Sequence, residues 1–278
     1  MTRLKTQWIE HMVNGMQEYN RQLESKCGMD LRHLVQSVFL VNDEAYEEAV
    51  SRTLVSCIPI TQGQGIIGSF SQSIAAIVNS MGFTAWAEEK TDVDGIYSAS
   101  LKNANLYFMA DDVRYLAVNP EKNRVSDNNY ATALGFICVL RQMMMRKGFD
   151  ISKEKILVIG IGTVGKEACR ILENHDIDFD IYDINKGAYD NLKDVELDSS
   201  KYVKLSGKQE IKNYRFILDY TNIGGWMEKD DLAADTLYAS PGVPLSLTEE
   251  AAEYLGKDAV YDNLEIGTAM MLGQTLFT

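Results

Sequence analysis

The stretch Gly160-Ile161-Gly162-Thr163-Val164-Gly165 constrains this chain more than any other part of it. It follows the apolar run Ile156-Leu157-Val158-Ile159 and leads into Val164 to Leu172, whose apolar residues recur at helical spacing. A G-x-G-x-x-G pattern alone is weak, but between a strand and a helix it predicts a dinucleotide-binding turn. Gly160 permits the tight turn, Gly162 lets phosphates approach the backbone, and Gly165 lets helix and strand pack closely. The helix start at Thr163 and Val164 then offers unpaired N–H groups and a positive dipole end. Asp183 closes the next apolar strand, near the ~20-residue distance expected of a ribose-binding acid. A carboxylate there accepts from a 2′-hydroxyl and repels a 2′-phosphate, so NAD is expected rather than NADP. Thr221-Asn222 and Ser240-Pro241-Gly242 follow two later strands, where carboxyl-end loops reach a nicotinamide. Each is equally readable as a plain turn, and the glycine turn itself as the relic of a lost cofactor site.

The rest of the chain alternates. An amphipathic helix is predicted over residues 4 to about 23, then one capped by Asp30, then one from Asp43 to about Val55. Cys57 to Ile60 reads as a strand, Thr61 to Gly65 as a glycine-rich loop, and Ile66 to Met81 as a helix. Thr84 to Ala87 and Leu106 to Ala110 read as strands, Tyr130 to Lys147 as a long helix stopped by Gly148. Beyond the second half's first strands, Phe216 to Leu218 and Leu237 to Ala239 are further strands, followed by a helix opened by Ser246 or Thr248. Strands alternating with helices predict an α/β chain. The expected division is a substrate domain at 1–129, helical and then α/β, a connecting helix at 130–148, and a Rossmann-type NAD-binding domain at 149–278.

Several classes of function are disfavoured. A net charge of −13 repels nucleic acid and anionic membranes, and suits a cationic substrate or merely solubility. No apolar run nears the roughly 18 residues of a membrane span, and the first ten lack a signal peptide's apolar core. A cytoplasmic location is expected. Cys27, Cys57, Cys138 and Cys169 form no C-x-x-C pair, and His11, His33 and His175 form no metal-binding or triad pattern, so no metal is expected. A homodimer stays an open option.

Composition leaves three stretches unexplained: Thr61-Gln62-Gly63-Gln64-Gly65-Ile66-Ile67-Gly68-Ser69-Phe70-Ser71, Met109-Ala110-Asp111-Asp112, and Ile266-Gly267-Thr268-Ala269-Met270-Met271. The first suits a carboxylate at a helix start. The second puts two carboxylates at a strand end, fit for an ammonium group or for a solvated turn.

These segments, with Gly160 to Gly165 and Ser240-Pro241-Gly242-Val243-Pro244, resemble the dehydrogenase family that performs the last step of pyrrolysine biosynthesis. The likeness runs from about residue 57 onward. It implies NAD-dependent oxidation of the terminal amine of 3-methyl-D-ornithyl-N6-L-lysine to an imine and then an aldehyde, with loss of ammonia. Ring closure to the pyrroline follows. It also implies that Asp111 binds a substrate amine, that Ile67 and Phe70 line the pocket, and that Asn129 and Leu4 contact substrate. Asp262 falls where the family carries a glutamate, and stands as a catalytic and cofactor-side carboxylate. Gln62 replaces a serine in the substrate loop, and Glu265 stands at an expected glycine.

An amine must be neutral to lose hydride, because its lone pair stabilises the developing iminium. With no histidine well placed, the proton would go to Asp111, Asp262 or water. Two other readings stay open: an NAD-dependent dehydrogenase of another amino or hydroxy acid, and a non-catalytic NAD-binding sensor.

Overall fold

The computed structural model describes residues 4–195 and 197–278. Contacts divide the chain into two units. The first comprises the residues up to Gln22, Met29–Thr132 and Leu264–Thr278; the second comprises Leu23–Gly28 and Ala133–Asn263.

The first unit opens with α1 (Thr6–Ile9) and α2 (Met12–Cys27), where the apolar spacing predicted one helix. The break has a local cause. The Ser73 hydroxyl donates to the Ile9 carbonyl at 2.9 Å, the group that would accept the Val13 amide in a continuous helix. That amide turns to the Glu10 carbonyl instead, at 3.4 Å. Next come α3 (Leu31–Phe39) and α4 (Asp43–Arg52). Asp30 caps α3 by accepting the His33 amide at 2.8 Å, and Asn42 caps α4 by accepting that of Ala45 at 2.9 Å.

The α/β part follows: β1 (Leu54–Pro59), α5 (Phe70–Ser80), β2 (Thr84–Ala87), α6 (Asp92–Leu101), β3 (Leu106–Ala110), β4 (Tyr115–Asn119) and β5 (Arg124–Asp127). They form one sheet in the order β2-β1-β3-β4-β5, parallel across the first three and antiparallel across the last three. Helix α5 starts at Phe70 rather than Ile66, because Gly63, Gly65 and Ser69 all take positive φ and hold the preceding segment as loop. The sequence reading missed α6, β4 and β5. In β4 the buried residues Tyr115, Ala117 and Asn119 alternate with half-buried neighbours, the period-2 signature of a strand.

Helix α7 (Asn128–Arg146) starts where Asp127 accepts the Asn129 amide at 2.8 Å, and the chain passes into the second unit within it. That unit holds β6 (Ile156–Ile159), α8 (Thr163–Asn174), β7 (Phe179–Tyr182), β8 (Phe216–Asp219), β9 (Leu237–Ser240), α9 (Glu249–Leu255) and β10 (Ala259–Tyr261). Its sheet runs β10-β9-β8-β6-β7 and is parallel throughout. The first four strands are buried along their whole length, as parallel strands covered on both faces must be. Short 3₁₀ segments, not a full helix, link β7 to β8. Thr248, not Ser246, caps α9.

The last helix, α10 (Glu265–Phe277), belongs to the first unit, although it was expected within the dinucleotide domain at 149–278. Side chains from β4, β5 and the turn between them hold it there. Tyr115 bonds Thr268 at 2.9 Å, Lys122 donates to the Leu276 carbonyl at 2.6 Å, and Ser126 donates to Gln274 at 2.6 Å. Among the described residues no helix is long and apolar enough to cross a membrane.

Candidate active site

In the second unit the strand order reverses between β6 and β8, the switch point where ligands bind in open parallel sheets. The three motif glycines stand there, each in a different environment. Gly160 has φ +82°, and a Cβ on it would lie 2.8 Å from the Thr221 amide nitrogen. Gly165 faces the Gly160 carbonyl oxygen so closely that no side chain fits. Gly162 has nothing within 4 Å of its Cβ position and is exposed. Two glycines thus shape the turn, and the third leaves open space before the amides of Thr163 and Val164 at the start of α8. That is the arrangement a pyrophosphate needs.

Asp183 sits beside this turn. Its Oδ2 accepts the Ile161 amide at 2.7 Å and its Oδ1 that of Asn185 at 2.8 Å. At the neighbouring strand ends, Thr221, Ser240, Pro241, Gly242 and Asp262 come together. A Cβ on Gly242 would meet the Thr221 carbonyl oxygen at 2.8 Å, and the Asp262 amide donates to the Ser240 carbonyl at 3.3 Å. Asp262 itself is buried. The residues expected on the cofactor side therefore share one edge of one sheet.

The first unit carries the remaining candidates. The glycine-rich loop after β1 is held by carboxylates from two other elements. Asp92, at the start of α6, accepts the Thr61 amide at 2.8 Å and its hydroxyl at 2.7 Å. Asp112, in the β3–β4 turn, accepts the Gln64 amide at 2.6 Å and fills the space beside Gly63. Gln62 is exposed, whereas Ile67 and Phe70 are half-buried. Phe70 sets its ring edge-on to Tyr115, with centroids 5.4 Å apart. Leu4 precedes α1, whose Thr6 lies against Gly68, with Oγ1 2.9 Å from the Cβ position there.

Asp111 closes its own turn. Its Oδ1 accepts the amides of Val113 and Arg114, each at 2.7 Å, while its amide donates to the Arg114 carbonyl. The Arg114 and then the Val113 hydrogen bonds hold its pKa below the ordinary aspartate value. The carboxylate is therefore ionised at neutral pH, suited to an ammonium and a weak base. Asn129, half-buried in the first turn of α7, follows Asp127, which pairs with Arg114 at 3.0 Å. Sequence reasoning missed Asp92 as a loop anchor and treated Asp112 only as half of a pair. Nothing local marks either role, since both partners lie far away in the chain.

Other chemistries find little here. Burial pushes the Cys57 and Cys169 thiols upward and Cys138 to about 12, so none of the three is a ready thiolate nucleophile. Among the described residues no group of three His, Cys, Asp or Glu is arranged to hold a metal ion.

The family model described as "Pyrrolysine biosynthesis protein PylD, N-terminal domain" matches residues 8–126. Pyrrolysine synthase of Methanosarcina acetivorans is 24% identical over 98% of this chain and 98% of its own length. The Methanosarcina barkeri enzyme of the same name is 26% identical over 94% of this chain and 93% of its own. The chain is thus similar to the PylD N-terminal domain over residues 8–126 and to two pyrrolysine synthases over nearly its whole length. Its fold is shared more widely. Shikimate 5-dehydrogenase from Thermus thermophilus, solved with NADP(H) and shikimate, superposes with a TM-score of 0.51. That match covers 81% of this chain and 93% of the other at 13% identity. Shikimate dehydrogenase from Aquifex aeolicus also gives 0.51, at 13% identity over 81% of this chain and 90% of its own.

The C-terminal Gly-Thr segment has a packing role. A Cβ on Gly267 would lie 3.0 Å from Asn128 Oδ1, so α10 and the start of α7 approach closely there. Glu265, at the expected glycine, turns back so that its Oε2 accepts the Leu264 amide at 3.0 Å. It closes the start of α10 and is buried.

Proposed function

We propose that this chain performs the oxidative, ring-forming step of pyrrolysine biosynthesis, with NAD as cofactor. Its similarity to two pyrrolysine synthases over nearly the whole chain supports a role in that biosynthesis. The observation that carries the dehydrogenase reading is the division of labour among Gly160, Gly162 and Gly165 beside Asp183. Two glycines are forced by close packing, while the third is bare where a pyrophosphate would lie. Asp183, a carboxylate next to the turn, favours a free 2′-hydroxyl and so NAD over NADP.

The substrate of this reading is 3-methyl-D-ornithyl-N6-L-lysine. When bound, NAD takes a hydride from the carbon bearing the ornithine's terminal amine, leaving an imine. Hydrolysis releases ammonia and an aldehyde, and the α-amine condenses with the aldehyde, losing water, to close the pyrroline. Asp111 binds the substrate's amino group as an ionised partner, and the reacting amine gives up its proton before the hydride leaves. Ile67 and Phe70 supply the apolar wall, and Leu4, Gln62 and Asn129 complete the substrate contacts. Asp262, buried at the strand ends of the cofactor unit, is the second carboxylate of the reaction. Much of the rate comes from positioning and exclusion of water.

Asp111→Asn tests the assignment. The amide keeps an oxygen for the Val113 and Arg114 N–H groups but removes the charge. Turnover should be lost with NADH binding intact; turnover at the wild-type rate would sink the role given to Asp111.

A further inference from the structure

Asp219, at the carboxyl end of β8, is wholly buried and has no part in the reaction as written. Its bonds reach the loops that follow β8 and β9. The side chain accepts the Thr221 amide at 2.9 Å through Oδ1 and the Tyr238 hydroxyl at 2.8 Å through Oδ2. Its carbonyl accepts the Ser240 hydroxyl at 2.7 Å, and that hydroxyl oxygen in turn accepts the Gly242 amide at 2.9 Å. Thr221 and Ser246 join hydroxyls at 2.6 Å, closing the ring of contacts.

A buried carboxylate is costly to keep, and burial pushes the Asp219 pKa upward against the hydrogen bonds that oppose it. A core position next to fully buried strands would be filled more cheaply by leucine or valine. What the carboxylate gains is geometry. It fixes the Thr221 amide, which stands against Gly160, and the Tyr238 hydroxyl, while the main-chain carbonyl of the same residue holds the turn at Gly242 through Ser240. These are the loops at the β8 and β9 ends, opposite the strand that carries the glycine turn.

We propose that Asp219 is a positioning residue that sets the nicotinamide-side rim of the dinucleotide site, a role that rests on the cofactor reading above. Its carboxylate holds the loop after β8 and its main-chain carbonyl the loop after β9, while Asp183, at the end of β7 on the other side of the glycine turn, braces the Ile161 amide. The two halves of the cofactor should then respond differently to its removal.

The experiment titrates NADH by fluorescence and AMP by calorimetry against wild type, Asp219→Ala and Asp219→Asn. Amide exchange at Thr221 and Gly242 is followed in the nucleotide-free proteins. Removing the acceptor strands two buried donors, so Asp219→Ala should weaken NADH by about tenfold or more while AMP stays within about twofold. Exchange at Thr221 should speed up while that at Gly242, held through the main-chain carbonyl, changes little, and Asp219→Asn, which keeps an acceptor, should recover most of the loss in NADH binding and in Thr221 protection. Ser240→Ala, which spares the core carboxylate, should free Gly242 alone and weaken NADH less. Equal loss of NADH and AMP would make Asp219 a general structural residue and overturn the proposal, as would unchanged NADH binding in both alanine variants. A wild-type chain that bound AMP but not NADH would contradict the cofactor reading instead, and this inference with it.

Discussion

The chain contains two glycine-rich turns that leave a parallel strand and end in a helix, and they are built in opposite ways. After β6 the turn is walled by backbone: Gly165 meets the Gly160 carbonyl, and Gly160 meets the Thr221 amide. After β1 the loop is walled by side chains: Asp112 beside Gly63, Thr6 beside Gly68, and Asp92 on Thr61. Backbone walls do not move without moving a strand or helix. Side-chain walls can swing into solvent. The first design suits a cofactor whose phosphates are always the same; the second suits a loop whose shape is set by, and adjustable to, a substrate.

The sharpest break of this contrast comes from filling each turn. Gly165→Val drives a side chain into the Gly160 carbonyl and should lower the unfolding free energy by about 3 kcal/mol, read by urea denaturation. An effect below about 1 kcal/mol would mean that helix α8 can shift, and the backbone-wall account would fail. Gly63→Ala meets only the Asp112 carboxylate, so beyond the strain of its positive φ the neighbour can give way. About 1 kcal/mol is expected. Asp112→Ala removes that neighbour, so the double variant should cost less than the two single changes added together. Strict additivity would show that Asp112 does not shape the loop.

Gly162→Ala sharpens the comparison from the ligand's side. With open space around it, the substitution should change stability by no more than about 0.5 kcal/mol. NADH binding should nevertheless weaken, because the methyl occupies the phosphate's approach. Unchanged NADH affinity would place the pyrophosphate elsewhere.

The smallest effect is one of pH. The Arg114 and Val113 amides depress the Asp111 pKa in the folded chain. Such a group stabilises above its unfolded pKa, and that contribution fades as pH falls below about 4 and through the folded value. The stability advantage of wild type over Asp111→Asn should therefore shrink between about pH 6 and about pH 3. A constant difference would show that the turn does not depend on the charge.

The same contrast explains what the amino-acid sequence made legible. The β6 turn could be read residue by residue because its constraints are local: glycine spacing, an apolar strand before it and a helix after. The Asp183 position came with it. The β1 loop was legible as a glycine-rich loop, but what holds it was not, since its anchors Asp92 and Asp112 lie about thirty and fifty positions away and no spacing rule connects them. Helix α10 was assigned to the wrong half for a related reason. Its bonds to Asn119, Lys122 and Ser126 span about 150 residues, beyond the reach of any local pattern. The α1–α2 break depended on one distant hydroxyl, Ser73. Asp219 looked like an ordinary strand end, because its value lies in the two loops it joins.

The central claim is an amine oxidation coupled to NAD. Purified protein mixed with NAD and 3-methyl-D-ornithyl-N6-L-lysine, with NADP in a parallel reaction, tests it by reduced-cofactor absorbance and product mass. The account predicts reduced cofactor with NAD well above NADP, ammonia release, and a product of pyrrolysine mass. An intact chain that binds NADH yet yields no reduced cofactor from this substrate would contradict it.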